Sequence, residues 1–512
     1  MTSVGAPTMT APSRRNLARS SVLTFAGSAT SALMGLVLIV VLGRTLGEVG
    51  AGVVLQAVAA FTIALGAARL GMDSTALWIL PRLLDSQEGL VRPTAWLLIG
   101  TASLGGCLGG IGLVITAQVL ETTASGTETA AALRSIAPFL PFAAAMLTAL
   151  AASRAMGKVT TFVLIGSIAL PTLRPAAIVI SVALGGSAIA AGIAWAIPLL
   201  PAAAAAVVIL AVQMRQLRPS DRVSLRQSTV PARTARYAVP RVLSSLLEQL
   251  LVWLAVLVVG VLAGPGPAGI YGAAARFVAA GMVIDTAIRV VVSPMFSRLL
   301  HRDETVELED LYRTAATWLV LFSAPIYLLL AIFSPLALSL LGDGFMQGAA
   351  VMSFMCLGAL VIFLAGNIHS VLLMSGRSGL AALNKATAVA TNIALLVLLV
   401  PELGLVGAAV AWAVACTLDA LLATIQVRFV LRLAVSPVPA LHPLLVGILT
   451  VAVPAMCLRV TMGPTWPALI TAVAVGGAFF LVVCRLDRKR LRLDELSLLT
   501  RRRDRDSASG RV

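Results

Sequence analysis

Three charged side chains, Arg276, Asp285 and Arg289, sit inside the stretch GIYGAAARFVAAGMVIDTAIRVVVSP (269–294), which otherwise reads as a membrane span. A charge near the bilayer centre costs at least ~2.5 kcal/mol, so such residues face a protein interior or a water-filled cavity. Arg276 falls roughly 6 Å of helix rise outward of the span's centre, too deep to snorkel easily to either surface. On a cavity wall, its planar and permanently charged guanidinium suits a phosphate or pyrophosphate held bidentately. The alternative is a structural ion pair with a neighbouring helix. Asp285 and Arg289 are four apart, share one helix face and are expected to pair near the inner interface.

Other polar residues in apolar surroundings extend this set. Ser244, Ser245, Glu248 and Gln249 form a polar stripe on a Leu/Val-rich span and are expected to face the same cavity. Glu248 suits a coupling proton or sodium ion, or equally an arginine partner. In LPTLRPA (170–176), Arg174 lies between Pro171 and Pro175, and the second proline disfavours helix at Arg174. Interrupted helices with polar groups mark transporter sites; the competing reading is that Arg174 snorkels to the outer face. Arg69 and Asp73 read as snorkelling at the cytoplasmic interface. Asp419 stands alone in its span. The five cysteines and three histidines lack ligand spacing, so no disulfide framework and no metal site is expected. No catalytic constellation is visible, and no cofactor is expected beyond a coupling ion.

These residues need a membrane scaffold. The chain has 512 residues, 59% hydrophobic and 12% charged, with a mean hydropathy of +0.98, a composition that leaves too little polar surface for a soluble globule. The net charge of +16 is spread in short clusters between apolar runs, which fits membrane topology and argues against nucleic acid. Apolar windows predict an all-α polytopic membrane protein of about fourteen spans: approximately 20–43, 49–70, 94–118, 132–152, 159–184, 187–212, 238–263, 268–292, 314–340, 349–374, 380–401, 404–426, 441–459 and 465–484. With the N-terminus inside, only Arg44, Arg134 and Arg459 of the 38 Lys and Arg fall outside; Arg69, Arg174, Arg276 and Arg289 lie within spans, and Arg241 and Lys385 lie near the inner ends of theirs. The positive-inside rule thus puts both termini in the cytoplasm.

The segments are expected to be an N-terminal tail (1–19), a six-helix bundle (20–212), a basic cytoplasmic linker (213–237), a second bundle (238–426), two further helices (441–484) and a basic tail (485–512). The linker and tail read as orientation signals on anionic headgroups. The bundles look duplicated. AAGIAWAI (190–197) matches GAAVAWAV (407–414) at an offset of 217, AMGKVTTF from 155 matches MSGRSGLA from 374 at 219, and EVGAGVVLQAVAA from 48 resembles PAGIYGAAARFVAA from 267. A period of six helices keeps both halves in one orientation, related by an axis along the membrane normal around a central cavity. GGCLGGIG (105–112) reads as helix packing, since no strand precedes it as a phosphate loop would require.

The run EQLLVWLAVLVVGVLAGPGPAGIYGAAARF (248–277), then SPMFSRL (293–299), resembles the seventh and eighth helices of bacterial polysaccharide flippases of the MOP exporter superfamily. MSGRSGLAALNKATAVATNIALLVLLVPELGLVGAAVAWAVA (374–415) is similar to the same family. The resemblance implies a V-shaped pair of bundles in the bacterial plasma membrane, moving a polyprenyl-pyrophosphate-linked oligosaccharide between leaflets by alternating access, with glycan polymerase and glycosyltransferases as partners. It also implies an acidic role at Glu248 and a cavity arginine at Arg276. Between Arg19 and Arg44 the chain has no charge, where lipid II flippases of the superfamily carry cavity charges, and this favours another polyprenyl-linked glycan. The rival readings are a MATE-like drug or cation antiporter, a membrane glycan polymerase, which the short outer loop VLETTASGTETAA (119–131) argues against, and a flippase-like scaffold that transports nothing.

The charge asymmetry makes topology testable. In a background with the native cysteines replaced by serine, cysteines at Ser220 and Thr127 are expected to react with an impermeant maleimide from opposite sides of the membrane. Labelling of both from outside intact cells would overturn the assignment.

Overall fold

The structure is a computed structural model that describes residues 11–122, 126–215, 217 and 228–495, with side chains from residue 23. The first half runs α1 (Ala11–Ala68), α2 (Met72–Ser86), α3 (Val91–Glu121), α4 (Thr127–Ile136) and α5 (Leu140–Ala155). Next, α6 (Val159–Thr161) passes through a π-helical stretch (Phe162–Ala169) into α7 (Leu170–Ala183), followed by α8 (Ala188–Ala196) and α9 (Leu199–Met214). The second half comprises α10 (Val230–Ala263), α11 (Pro265–Gly281), α12 (Val283–His301), α13 (Thr305–Ile332), α14 (Ser334–Ser339), α15 (Ala349–Leu364), α16 (Ile368–Met374) and α17 (Ser378–Val430). The final helices are α18 (Val438–Gly447) and α19 (Val453–Met462), joined by a π-helical turn, and α20 (Trp466–Leu486). There is no strand among the described residues.

Twelve helical stretches are long and apolar enough to cross a membrane. Two contain a hairpin. α1 and α17 have 58 and 53 residues, which as straight rods would each span roughly 80 Å or more against a hydrocarbon core of about 30 Å. Each bends at a glycine of positive φ, Gly47 (+67°) and Gly404 (+58°). In α17 the chain doubles back, so that Asn384 and Gln426, 42 residues apart, exchange side-chain amide hydrogen bonds of 2.9 and 2.7 Å. Length and apolarity establish twelve such stretches where the sequence predicts about fourteen, the expected first and second spans lying in one stretch and the eleventh and twelfth in another.

The repeat is written in the turns. Gly47 and Gly264 (φ +67° and +95°), Gly157 and Gly376 (+83° and +80°), and Gly185 and Gly404 (+83° and +58°) are left-handed turn residues separated by 217, 219 and 219 positions. L-residues with a Cβ avoid that conformation, so each half keeps glycine at the same three corners. The halves meet at the Gly47/Gly264 end, where a Cβ on Gly52 would run into the Pro265 carbonyl and one on Gly269 into that of Glu48. Arg44 donates there to the Leu340 and Ser339 carbonyls at 2.6 and 3.1 Å. At the other end Gly71 lies against Ala238, and Trp78 stacks on Tyr237 with centroids 4.5 Å apart.

Three expectations need correction. The eighth span is not continuous: α11 ends at Gly281 and α12 begins at Val283. The tenth span breaks over 365–367, with Gly366 at φ +56°. Such breaks free backbone carbonyls, and apolar surroundings offer no water to satisfy them. Tyrosines on α13 do so instead: Tyr327 donates to the Val278 carbonyl at 2.7 Å and Tyr312 to the Ala365 carbonyl at 2.8 Å. Third, Arg174 is helical, inside α7. The irregularity falls one turn earlier, in the π-helical stretch, because Pro171 and Pro175 remove amide donors without forcing Arg174 out of the helical region. Of the basic linker, Arg233 and Arg236 begin α10, whereas Arg218, Arg222, Arg226 and the tail beyond 495 lie outside the described residues. The described part of the tail folds onto α13, where Arg492 donates to Asp310 and Thr314, each at 2.6 Å.

Tyr327→Phe and Tyr312→Phe, which remove one hydroxyl each from fully buried rings, are each expected to destabilise the protein by about 1–3 kcal/mol. The check is thermal unfolding in detergent; an unchanged midpoint for both would mean the freed carbonyls are satisfied otherwise.

Candidate functional site

Two cavities adjoin at Arg276. The larger, about 660 Å³, lies in the second half and is walled by α10, α11, α12, the α15–α16 break and both arms of α17. The smaller, about 260 Å³, lies between the halves, with lining from α1, α7, α8, α10 and α11.

The smaller cavity holds two arginines and no carboxylate among its lining residues; Ser31 and Thr62 are its other polar side chains apart from the indoles of Trp195 and Trp253. Each arginine is positioned by a tryptophan. The Arg276 guanidinium carbon sits 3.8 Å from the Trp253 ring centroid and that of Arg174 sits 3.9 Å from Trp195. A desolvated cation over an indole face is stabilised by about 2 kcal/mol, without neutralising its charge. Arg174 Nε is buried with no hydrogen-bond partner among the described residues. Two oriented guanidiniums without an acidic partner among the described residues make a site for an anion with several acceptor oxygens.

The larger cavity is mixed in charge. Ser244 and Glu248 line it, and Glu248 has no ion pair among the described residues. The stripe on α10 therefore divides. Gln249 turns toward Gly66 of α1, where a Cβ would meet its side chain and the Ser245 carbonyl, and neither Ser245 nor Gln249 lines the cavity, because residues one apart on a helix point about 100° away from each other. Asp285 accepts from Asn367 Nδ2 at 2.9 Å, and Arg289 Nη2 lies 3.5 Å from its other oxygen, so the expected pair forms with a third member from the broken helix. Arg69 and Asp73 pair at 2.6 Å.

Asp419 is not alone, as the sequence reading had it. The α17 hairpin brings Lys385 Nζ to 2.5 Å from its Oδ2, and His369 Nε2 lies 3.0 Å from the same oxygen. The carboxylate is 2% exposed, and leaving such a charge uncompensated costs several kcal/mol. Sequence reasoning missed Lys385, His369, Asn367 and both tryptophans. The available signal was Lys385 itself, one of only three lysines and set within an apolar span. Among the described residues no group of three or more His, Cys, Asp or Glu could hold a metal.

Residues 101–347, just under half of the chain, match the model of a family described as "Polysaccharide biosynthesis protein". No curated protein matches the sequence. The fold is similar to the lipid II flippase MurJ in an inward closed conformation, with 14% identity over 92% of this chain and 99% of that one and a TM-score of 0.69. It is also similar to the MATE multidrug transporter DinF-BH, with 18% identity, coverage of 82% and 97%, and a TM-score of 0.61. A Pyrococcus furiosus MOP superfamily transporter, described by reverse polarity of its binding pocket, shares 12% identity over 82% and 96%, at a TM-score of 0.56. These likenesses, all under 25% identical, show a fold shared with MurJ and MATE transporters.

Lys385→Met would strand the buried Asp419 carboxylate and is expected to destabilise the protein by about 3–5 kcal/mol. The double variant Lys385→Met/Asp419→Asn should recover most of that loss in thermal unfolding; additive losses would show that the two do not act as a pair.

Proposed function

We propose that this chain is a polysaccharide flippase that moves an anionic, polyprenyl-pyrophosphate-linked oligosaccharide from the inner to the outer leaflet of a bacterial plasma membrane, for cell-surface polysaccharide biosynthesis. The observation that carries the reading is the pair of tryptophan-stacked arginines, Arg174 and Arg276, on one carboxylate-free cavity between the two halves. The two guanidiniums bind the pyrophosphate. The larger cavity beyond Arg276, with its polar side chains and the indoles of Trp253 and Trp412, receives the first sugars. The polyprenyl tail stays in lipid.

Movement follows from the seams. The halves touch at the Gly52/Gly269 end and again at Gly71 and Trp78, so the cavities lie between two closures. Opening one while keeping the other exposes Arg276 to one leaflet at a time, which is alternating access. With both termini in the cytoplasm, the Gly71 closure is the inner one and loads substrate supplied by cytoplasmic glycosyltransferases; a glycan polymerase on the outer side consumes it. The family description supports glycan chemistry. A MATE-like cation exporter is the second reading, favoured only by the unpaired Glu248; Asp419 and Asp285 already hold basic partners.

Arg276→Ala is expected to reduce glycan export by at least tenfold with membrane level and melting temperature near wild type, because the side chain has no acidic partner among the described residues to strand. Arg276→Lys should restore part of the activity, since it keeps the charge and loses the fork. Export and stability are measured together; full export by the alanine variant would sink the headgroup role.

A further inference from the structure

Both helix breaks of the second half open beside one line of charge. Arg289 and Asp285 lie on α12 just after the first break, Asn367 and His369 lie in and just after the second, and Asp419 and Lys385 lie on the two arms of α17. All six line the larger cavity. Two cations and two carboxylates balance, so the net charge of the line is set by the imidazole of His369. We propose that His369 is a proton-binding site, and that its protonation couples the proton gradient to movement of the broken helices.

Three observations carry this. The first is position: His369 Nε2 lies 3.0 Å from Asp419 Oδ2, while its side chain is 32% exposed and Asp419's only 3%. Nε2 is itself buried, so cavity water reaches the ring through its exposed part, and a proton taken up there leaves an Nε2–H facing a buried carboxylate. The second is that Asp419 Oδ1 is buried with no hydrogen-bond partner among the described residues, which leaves the carboxylate room for a further donor. The third is mechanical. His369 rides on α16, a seven-residue helix held between Gly366 and Gly376, both left-handed at φ +56° and +80°. A short helix between two such joints can swing as a unit.

The step is simple in its balance. An imidazole nitrogen takes a proton from cavity water; Asp419 keeps its charge, and the imidazolium donates to it in a charge-assisted bond. That draws α16 toward α17 and shares Asp419 between His369 and Lys385. Loss of the proton returns Asp419 to Lys385 alone and frees α16. Imidazole is the side chain whose charge ordinarily changes between pH 5 and 8. The other charged or titratable groups lining this cavity are Glu248 and Arg241 on α10, Tyr271 and Arg276 on α11 and Cys416 on α17. None of these is carried on a segment bounded by two left-handed glycines, and Asp285 is tied to Arg289 and Asn367.

The coupling role rests on the transport reading above, so the experiment has one arm that does not need substrate. Melting temperatures of the purified full-length protein, His369→Gln and Asp419→Asn are followed from pH 5.5 to 8. A proton held more tightly by the folded protein stabilises it at low pH and is lost as pH rises. Wild type should therefore exceed His369→Gln by about 2–4 °C at pH 5.5, with the gap closing by pH 8, and Asp419→Asn should abolish the pH dependence of the gap. A gap constant with pH makes His369 a packing residue, and one that widens as pH rises means the neutral form is held; either overturns the proposal. Should His369→Gln fail to fold, hydrogen exchange of 368–376 in the wild type decides: protection must rise as pH falls once intrinsic rates are corrected, and no rise overturns it. In vesicles carrying a fluorescent undecaprenyl-pyrophosphate disaccharide, flipping should follow an imposed pH gradient in wild type and lose that dependence in His369→Gln. Intact pH-linked melting with no flipping by wild type would sink the substrate reading and the coupling role, and leave the proton site standing.

Discussion

In hydrocarbon no water is at hand to bond a peptide group, and every departure from regular helix must be answered from within the protein. Much of this architecture follows from that constraint. The breaks at Met282 and at 365–367 exist because α13 brings two fully buried tyrosines, Tyr327 and Tyr312, whose hydroxyls bond the carbonyls of Val278 and Ala365. Each hydroxyl replaces a bond that the helix has given up. α13 is thus a brace, and the described tail is bound to it through Arg492.

The same medium sorts the charges. Two acids on the spans of the second half are matched: the buried Asp419 by Lys385 with His369 alongside, and the partly buried Asp285 by Arg289 and Asn367. The two deep arginines at the seam are treated differently. Arg174 and Arg276 sit over the rings of Trp195 and Trp253, surfaces that stabilise a cation without consuming its charge. A paired arginine has little left for a ligand, whereas a stacked one keeps its hydrogen-bond donors. Position at the seam matters as much as chemistry, because a group bound there touches both halves and feels any change in their relation.

The hairpins show how close packing and turns share the work of small residues. Gly52 and Gly269 let the halves approach where a methyl group would collide with backbone. Gly47, Gly157 and Gly185 recur as Gly264, Gly376 and Gly404, at corners where a left-handed residue reverses the chain within a few positions. The two halves share these corners while their linings differ: Arg174 belongs to the first half, whereas Lys385, Asp419 and His369 belong to the second.

Class, apolar segments and repeat were legible in the sequence, since each depends on residue type at short range: about 20 apolar residues suffice to span a membrane, and matching stretches at offsets of 217 and 219 betray a duplication. Arg276, Arg174 and Glu248 were visible as polar residues in apolar runs for the same reason. Partners were not. Whether Asp419 stands alone depends on Lys385, 34 positions away, and on a hairpin that folds one upon the other. Whether an arginine is spent on an acid or held on an indole is decided by which helix lies opposite, as Trp253 does for Arg276. The helix breaks were hidden too, because a span survives interruption only when a tyrosine from another helix replaces the lost bond, and that is a fact of tertiary structure.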